Sequence, residues 1–239
     1  FPFETHNPRL GADLYLSKKT TLSVLGTSVI NKFNPTGSSR TYVVDENFNP
    51  LNNSQFMNNS RDRWYNYALN AELRTQFDTT GKELTVSGDY ARYWNHTNQA
   101  FSTIFYNNEG NTLNQTYLNG NQNGLLNLFA AKADYTHPLK KDSKFEMGAK
   151  SSYVSSDNNV KFYDNINGEL FFDTARSSHF LYSENINAAY VNYNKTINKV
   201  GLQFGLRAEQ TLANGKQLLN DQTFHRSYLQ VFPTAFIEY

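Results

Sequence analysis

The chain has 239 residues, enough for one large domain or part of one, and a formal net charge of +1. That charge gives no field favouring nucleic acid, and the lack of cysteine excludes a disulfide framework and thiolate metal sites. No apolar run of about eighteen residues is available for a membrane helix.

The first residues, Phe1-Pro2-Phe3-Glu4, carry neither the basic nor the apolar region of a secretory leader. The expectation is a mature, trimmed or partial chain. Strands follow near 9 to 16 and 20 to 33, joined by the short turn Ser17-Lys18-Lys19. A polar segment from about 32 to 62 reads as a long loop. Period two then returns over 63 to 78, with Tyr65, Tyr67, Leu69, Ala71 and Leu73 on one face and Asn66, Ala68, Asn70, Glu72 and Arg74 on the other. After Asp78-Thr79-Thr80-Gly81 a strand is expected near 82 to 98, then a second long loop to 124 in which Phe101 to Tyr106 reads as an extracellular hairpin extension.

The pattern repeats over 125 to 137, where Phe129, Ala131, Ala133 and Tyr135 alternate with Lys132 and Asp134, and over 143 to 155, with the short turn Pro138 to Asp142 between them. A third long segment, 155 to 183, contains Asn165-Ile166-Asn167-Gly168, and Asn-Gly is a strong hairpin signal. Strands near 184 to 196 and 200 to 212 enclose Ile197-Asn198-Lys199. In the second of them Leu202, Phe204, Leu206 and Ala208 alternate with Gln203, Gly205, Arg207 and Glu209. A fourth loop, 213 to 225, leads to a strand near 226 to 239.

Nine strands of roughly twelve to fifteen residues exceed the usual five or six and suffice to cross a bilayer at a tilt. Short turns alternating with long connections are the pattern of outer-membrane barrels. The composition agrees: only 38% of residues are hydrophobic, the mean hydropathy is −0.65, and yet there are 16 Tyr and 18 Phe. The expected fold is all-β, an antiparallel up-and-down transmembrane β-barrel present as a partial arc of about nine long strands. An odd strand count, no leader and an end inside a strand give the expectation that 1 to 239 is a single barrel segment of a larger barrel. Lys18, Lys19, Lys82, Lys140, Lys141, Lys144, Lys195 and Lys199 sit in or beside the short turns. They face anionic head groups or simply solvate the turns.

No chemistry of bond cleavage is legible. The histidines His6, His96, His137, His179 and His225 show no metal-ligand spacing. Tyr163 stands where a calcium loop needs its leading Asp, and no nucleophile elbow or phosphate loop occurs. Neither an enzyme nor a cofactor is expected. The polar-face charges Glu72, Arg74, Lys132, Asp134, Arg207 and Glu209 are candidates to face a lumen, where they solvate it, pair across strands, or line a plug or substrate path. Trp94, Tyr106, Tyr117 and Phe162, on or near the long loops, are candidates for ligand contact, for an interfacial girdle, or for loop packing.

Three stretches carry a resemblance: Glu184-Asn185-Ile186-Asn187-Ala188-Ala189-Tyr190-Val191-Asn192-Tyr193, then Gly201 to Thr211 with Gly205-Leu206-Arg207-Ala208-Glu209, then Tyr228 to Tyr239 with Phe232-Pro233. They resemble the barrel of TonB-dependent receptors of Bacteroidetes bacteria. The resemblance implies a barrel of about twenty-two strands around a plug, located in the outer membrane of a Gram-negative cell and contacting its lipid. It implies energy coupling through TonB and uptake of a small-molecule, peptide or glycan ligand. Neither plug nor coupling box is recognisable in these residues. The alternative reading is a secreted or surface-attached soluble β-protein that holds glycan through loop aromatics, with an apolar core closed between two sheets.

Overall fold

The computed structural model describes residues 3–140 and 142–239; Phe1, Pro2 and Lys141, and the readings placed on them, lie outside. Eleven strands form one antiparallel sheet: β1 (Phe3–His6), β2 (Arg9–Tyr15), β3 (Thr20–Phe33), β4 (Thr36–Val44), β5 (Pro50–Gln76), β6 (Glu83–Asn107), β7 (Thr112–Leu139), β8 (Ser143–Ile166), β9 (Glu169–Ile197), β10 (Val200–Gln217) and β11 (Gln222–Glu238). The order is β1-β3-β5-β6-β7-β8-β9-β10-β11, with β2 also on β3 and β4 also on β5.

Two of these elements are continuations. β1 and β2 share one register on β3, Phe3 opposite Phe33 and Arg9 opposite Thr27, and are split at Asn7-Pro8. β3 and β4 likewise share one register on β5 and are split at Asn34-Pro35. Proline has no N–H for the ladder, yet its carbonyl still accepts: Ser28 N–H reaches Pro8 O at 3.0 Å and Ser60 N–H reaches Pro35 O at 2.9 Å. The ladder therefore runs through both breaks, and nine strand positions result.

The long connections require a correction. Most of 32 to 62, 98 to 124, 155 to 183 and 213 to 225 is ladder, and the irregular tips shrink to 45–49, 108–111, 167–168 and 218–221. Alternation fades in these extensions because both faces are polar, so the hydrophobic signal vanishes while the backbone bonds persist. The tips use side-chain oxygens: Asp45 accepts from the N–H groups of Asn47 (2.9 Å) and Asn49 (2.8 Å), and Asn107 from those of Glu109 (3.1 Å) and Asn111 (2.8 Å). At the third tip Asn167 and Gly168 take φ of 54° and 91°, the paired positive values of a type I′ hairpin.

Following the register across the sheet gives a row in which every residue is apolar: Leu14, Leu22, Leu73, Val86, Ala133, Ala149, Ala189, Ala208 and Val231. Aromatic rings bound the belt. Toward the short turns lie Phe145 and Tyr193 (centroids 5.1 Å apart) and Phe77 with Tyr135 (6.3 Å); toward the long hairpins lie Tyr90 with Phe129 (4.8 Å) and Tyr65 with Trp94 (4.9 Å). From Phe145 to Tyr153 on β8 is ~27 Å along the strand at about 3.4 Å per residue, close to the apolar band of a membrane barrel.

Nothing covers this belt. Among the described residues the buried hydrophobics are Ala188 and Ala213, while Phe204 and Leu206 are 51% and 50% exposed. Among the described residues no second sheet exists to close a core, so the soluble two-sheet alternative does not hold for the fold. No pairing joins β11 to β1 or β2 among the described residues. The sheet is an open arc.

Candidate functional site

The six candidate lumen charges lie on one face and in two neighbouring rows. The first row runs Arg74, Thr85, Asp134, Gly148, Tyr190, Arg207; the second runs Asp13, Ser23, Glu72, Ser87, Lys132, Lys150, Ala188, Glu209. Strand parity puts these side chains opposite the apolar belt at the same height, which is what a membrane wall with a wet interior requires.

Among the described residues, local pairs hold five of the six, all but Glu72. Lys132 Nζ lies 2.5 Å from Asp134 Oδ2, two residues along the same face of β7, and Arg207 pairs with Glu209 in the same way on β10. Arg74 reaches across to Glu83 at 2.8 Å. The Tyr190 hydroxyl donates to Asp134 Oδ1 at 2.5 Å, spanning β8 from β9 to β7. Gly148 makes that span possible, since a Cβ there would sit 2.5 Å from Asp134 Oδ1 and 2.6 Å from Tyr190 Cε1. Farther along, Ser23 donates to Asp13 at 2.6 Å and Asn70 to Asp89 at 2.6 Å.

In these three ion pairs the carboxylate is the more sheltered partner: Asp134 is 26% exposed against 47% for Lys132, and Glu83 24% against 55% for Arg74, with Glu209 likewise below Arg207. The face thus presents cationic heads backed by acids. Such a wall can hold a polar or charged partner by hydrogen bonds and ion pairs. It is not arranged as a metal centre, as no three His, Asp or Glu side chains converge among the described residues.

The aromatic candidates do not form one surface. Trp94 stacks on Tyr65 at the edge of the apolar belt. Tyr106 lies under the Arg40 guanidinium, 5.6 Å from centroid to Cζ. Tyr117 lines a cleft of about 540 Å³ with Met57 and Phe101. Phe162 belongs to the opposite parity, its ring over Gly120, 2.8 Å from where a side chain there would begin. Near the short turns, Lys19 donates to the Phe77 carbonyl at 2.7 Å and Lys144 pairs with Glu146 at 2.6 Å, so these two lysines tie the rim together. Sequence reading did not single out Tyr190, Lys150 and Asp13 as site candidates, although each is in phase with polar neighbours on its own strand and Lys150 was read on the polar face.

The outer membrane protein beta-barrel family matches residues 75–239, from the end of β5 through β11. No curated protein matches the chain. Among solved structures, the unliganded ferric citrate transporter FecA aligns over 98% of this chain and 41% of its own, at 10% identity and a TM-score of 0.39. The ferric yersiniabactin uptake receptor FyuA from Yersinia pestis aligns over 98% and 42%, at 8% identity and a TM-score of 0.31. The copper transporter OprC aligns over 99% and 42%, at 11% identity and a TM-score of 0.37. The chain spans less than half the length of these proteins.

Proposed function

The chain belongs to the outer membrane protein β-barrel family, and on that footing we propose that it is part of the barrel of a TonB-dependent receptor of the Bacteroidetes type. In this reading the whole protein takes up a nutrient across the outer membrane with energy coupled through TonB. Residues 1–239 are one barrel segment, and the plug, the coupling segment and the remaining strands belong to the rest of the protein. Glu72, Arg74, Lys132, Asp134, Arg207 and Glu209 line the lumen and meet the plug or the passing ligand. Tyr106 and Tyr117, on the long hairpins, are the aromatic contacts for ligand capture, with Trp94 and Phe162 framing the hairpins on either face.

The observation that carries this reading is the juxtaposition of rows: an unbroken apolar row crosses the same strands as two polar rows that carry the charges, one residue away in each strand. The stretches Glu184 to Tyr193, Gly201 to Thr211 and Tyr228 to Tyr239 support the finer assignment by their resemblance to that receptor class. The test is growth of a strain lacking the gene, supplied in turn with a limiting iron chelate, cobalamin, peptide or glycan. One of these should support growth only when both the intact gene and TonB are present. Rescue that ignores TonB, or no defect with any of the four, overturns the proposal.

A further inference from the structure

Charge is sorted unequally between the two faces. On the apolar face the described strand carboxylates are Glu4 and Asp157, and both are already partnered, Glu4 with Lys32 at 3.3 Å and Asp157 with His179 at 2.8 Å. Bases are plentiful on the same face toward the long hairpins. Arg61 and Arg63 are in phase with Tyr65 and Leu69 on β5, and Arg92 is in phase with Tyr90 and Trp94 on β6. Lys32 lies directly opposite Arg63, and Arg63 directly opposite His96.

This cluster sits on the end of the apolar belt. The row Ile30, Tyr65, Trp94 runs beside the row Lys32, Arg63, His96, one step nearer the membrane. Like charges facing each other across strands are destabilising, and Lys32 and Arg63 do so here. Arg63 donates to Asn34 Oδ1 at 3.0 Å and to the Asp62 carbonyl at 2.8 Å, neutral acceptors that leave its charge uncompensated. Among the described residues Arg61, Arg63 and Arg92 form no ion pair. Arg61 and Arg92 are exposed. Outward-facing cations at the boundary between hydrocarbon and water, on the long-hairpin side, meet the head groups of the outer leaflet.

We propose that Lys32, Arg61, Arg63 and Arg92 form a docking site for the phosphate groups of an anionic lipid in the outer leaflet, with Ile30, Tyr65 and Trp94 packing against its apolar part. Guanidinium groups bind phosphate oxygens through paired N–H donors, and the long Arg92 side chain extends from the belt's edge toward the head groups while its stem stays on the apolar surface. The bound phosphates offset the like-charge repulsion of Lys32 and Arg63. The site rests on the barrel reading for its orientation alone, not on any transported ligand.

The test uses the intact protein, stripped of lipid in a neutral detergent and offered phosphorylated lipid A or its dephosphorylated form, with retention read by native mass spectrometry. The wild type should retain the phosphorylated lipid and release the other. The triple variant Lys32→Gln, Arg61→Gln, Arg63→Gln should bind roughly a hundredfold more weakly, from about a factor of five per surface cation. Lys199→Gln, at the opposite rim, should bind as the wild type does. Equal retention of both lipids by the wild type overturns the proposal, and so does undiminished retention by the triple variant. The wild-type comparison decides alone where the variant does not fold. TonB-dependent uptake without phosphate preference sinks this inference and leaves the transporter reading standing; phosphate-dependent retention without TonB-dependent uptake does the reverse.

Discussion

Gly148 shows how a single position decides what its neighbours do. Its missing side chain lets the Tyr190 ring cross β8 and donate to Asp134, which Lys132 also holds. Gly148→Val would drive a branched side chain into Asp134, Tyr190 and the Ala133 carbonyl, the last 2.8 Å from the new Cβ. We expect a loss of about 1–3 kcal/mol, the usual cost of overpacking, read as a lowered midpoint in denaturant unfolding from detergent. Tyr190→Phe should cost less, about 0.5–1.5 kcal/mol, since Asp134 keeps Lys132.

A second residue-scale effect depends on pH. The Asn49 side chain and the Asn49 and Asn47 N–H groups hold the Asp45 carboxyl below its ordinary value at an exposed hairpin tip. A carboxyl whose folded value is depressed lends stability that is present above its unfolded value and is lost as pH falls through the folded one. The order of the 45–49 tip should therefore persist at neutral pH and fade below about pH 4. Amide exchange at Asn47 and Asn49 measures this: protection factors that stay flat from pH 6 down to pH 3 would contradict it.

At the scale of the element, the two faces of β10 should respond oppositely to charge. Leu206→Arg places a cation in the apolar belt and should cost about 2–4 kcal/mol near the bilayer midplane. Gln203→Arg, on the other face of the same strand, should cost well under 1 kcal/mol, because lumen substitutions are solvated. Refolding into lipid vesicles against a denaturant series compares them, and equal costs would refute the assignment of faces.

The strands themselves were legible because lipid on one side and water on the other impose period two, as in Tyr65 to Arg74 and Leu202 to Glu209. The hairpin extensions were legible only at the Asn165 to Gly168 hairpin and over Phe101 to Tyr106; elsewhere they were not, because residues such as Asn98, Asn121 and Asn123 lie where both faces are wet. There the ladder is reinforced by bonds such as Asn121 to Asn98 at 2.7 Å, which leave no hydrophobic trace. Parity alone put Glu72, Arg74, Lys132, Asp134, Arg207 and Glu209 on the polar face. Their gathering into two rows needed the register, which hairpin geometry fixes and composition does not reveal. Arg61 and Arg63 escaped notice for a related reason: they follow the phase of Tyr65 and Leu69, and a cation in an apolar phase marks the place where hydrocarbon ends.

At the scale of the whole molecule, one face of a single sheet meets lipid and the other meets water. Residues 1–239 contain no cysteine, so single cysteines placed here one at a time can be spin-labelled with no competing thiol in this segment, any cysteine elsewhere in the protein being replaced first. The most direct measurement is the accessibility of labels along β10 in the intact protein in vesicles, to oxygen, which enters lipid, and to a water-soluble nickel chelate. Labels at Leu202, Phe204, Leu206 and Ala208 should be reached by oxygen and shielded from nickel, and those at Gln203, Arg207 and Glu209 the reverse, with a period of two. If all seven positions respond alike, or the alternation runs with the opposite sign, the sheet is not the wall of an outer-membrane barrel.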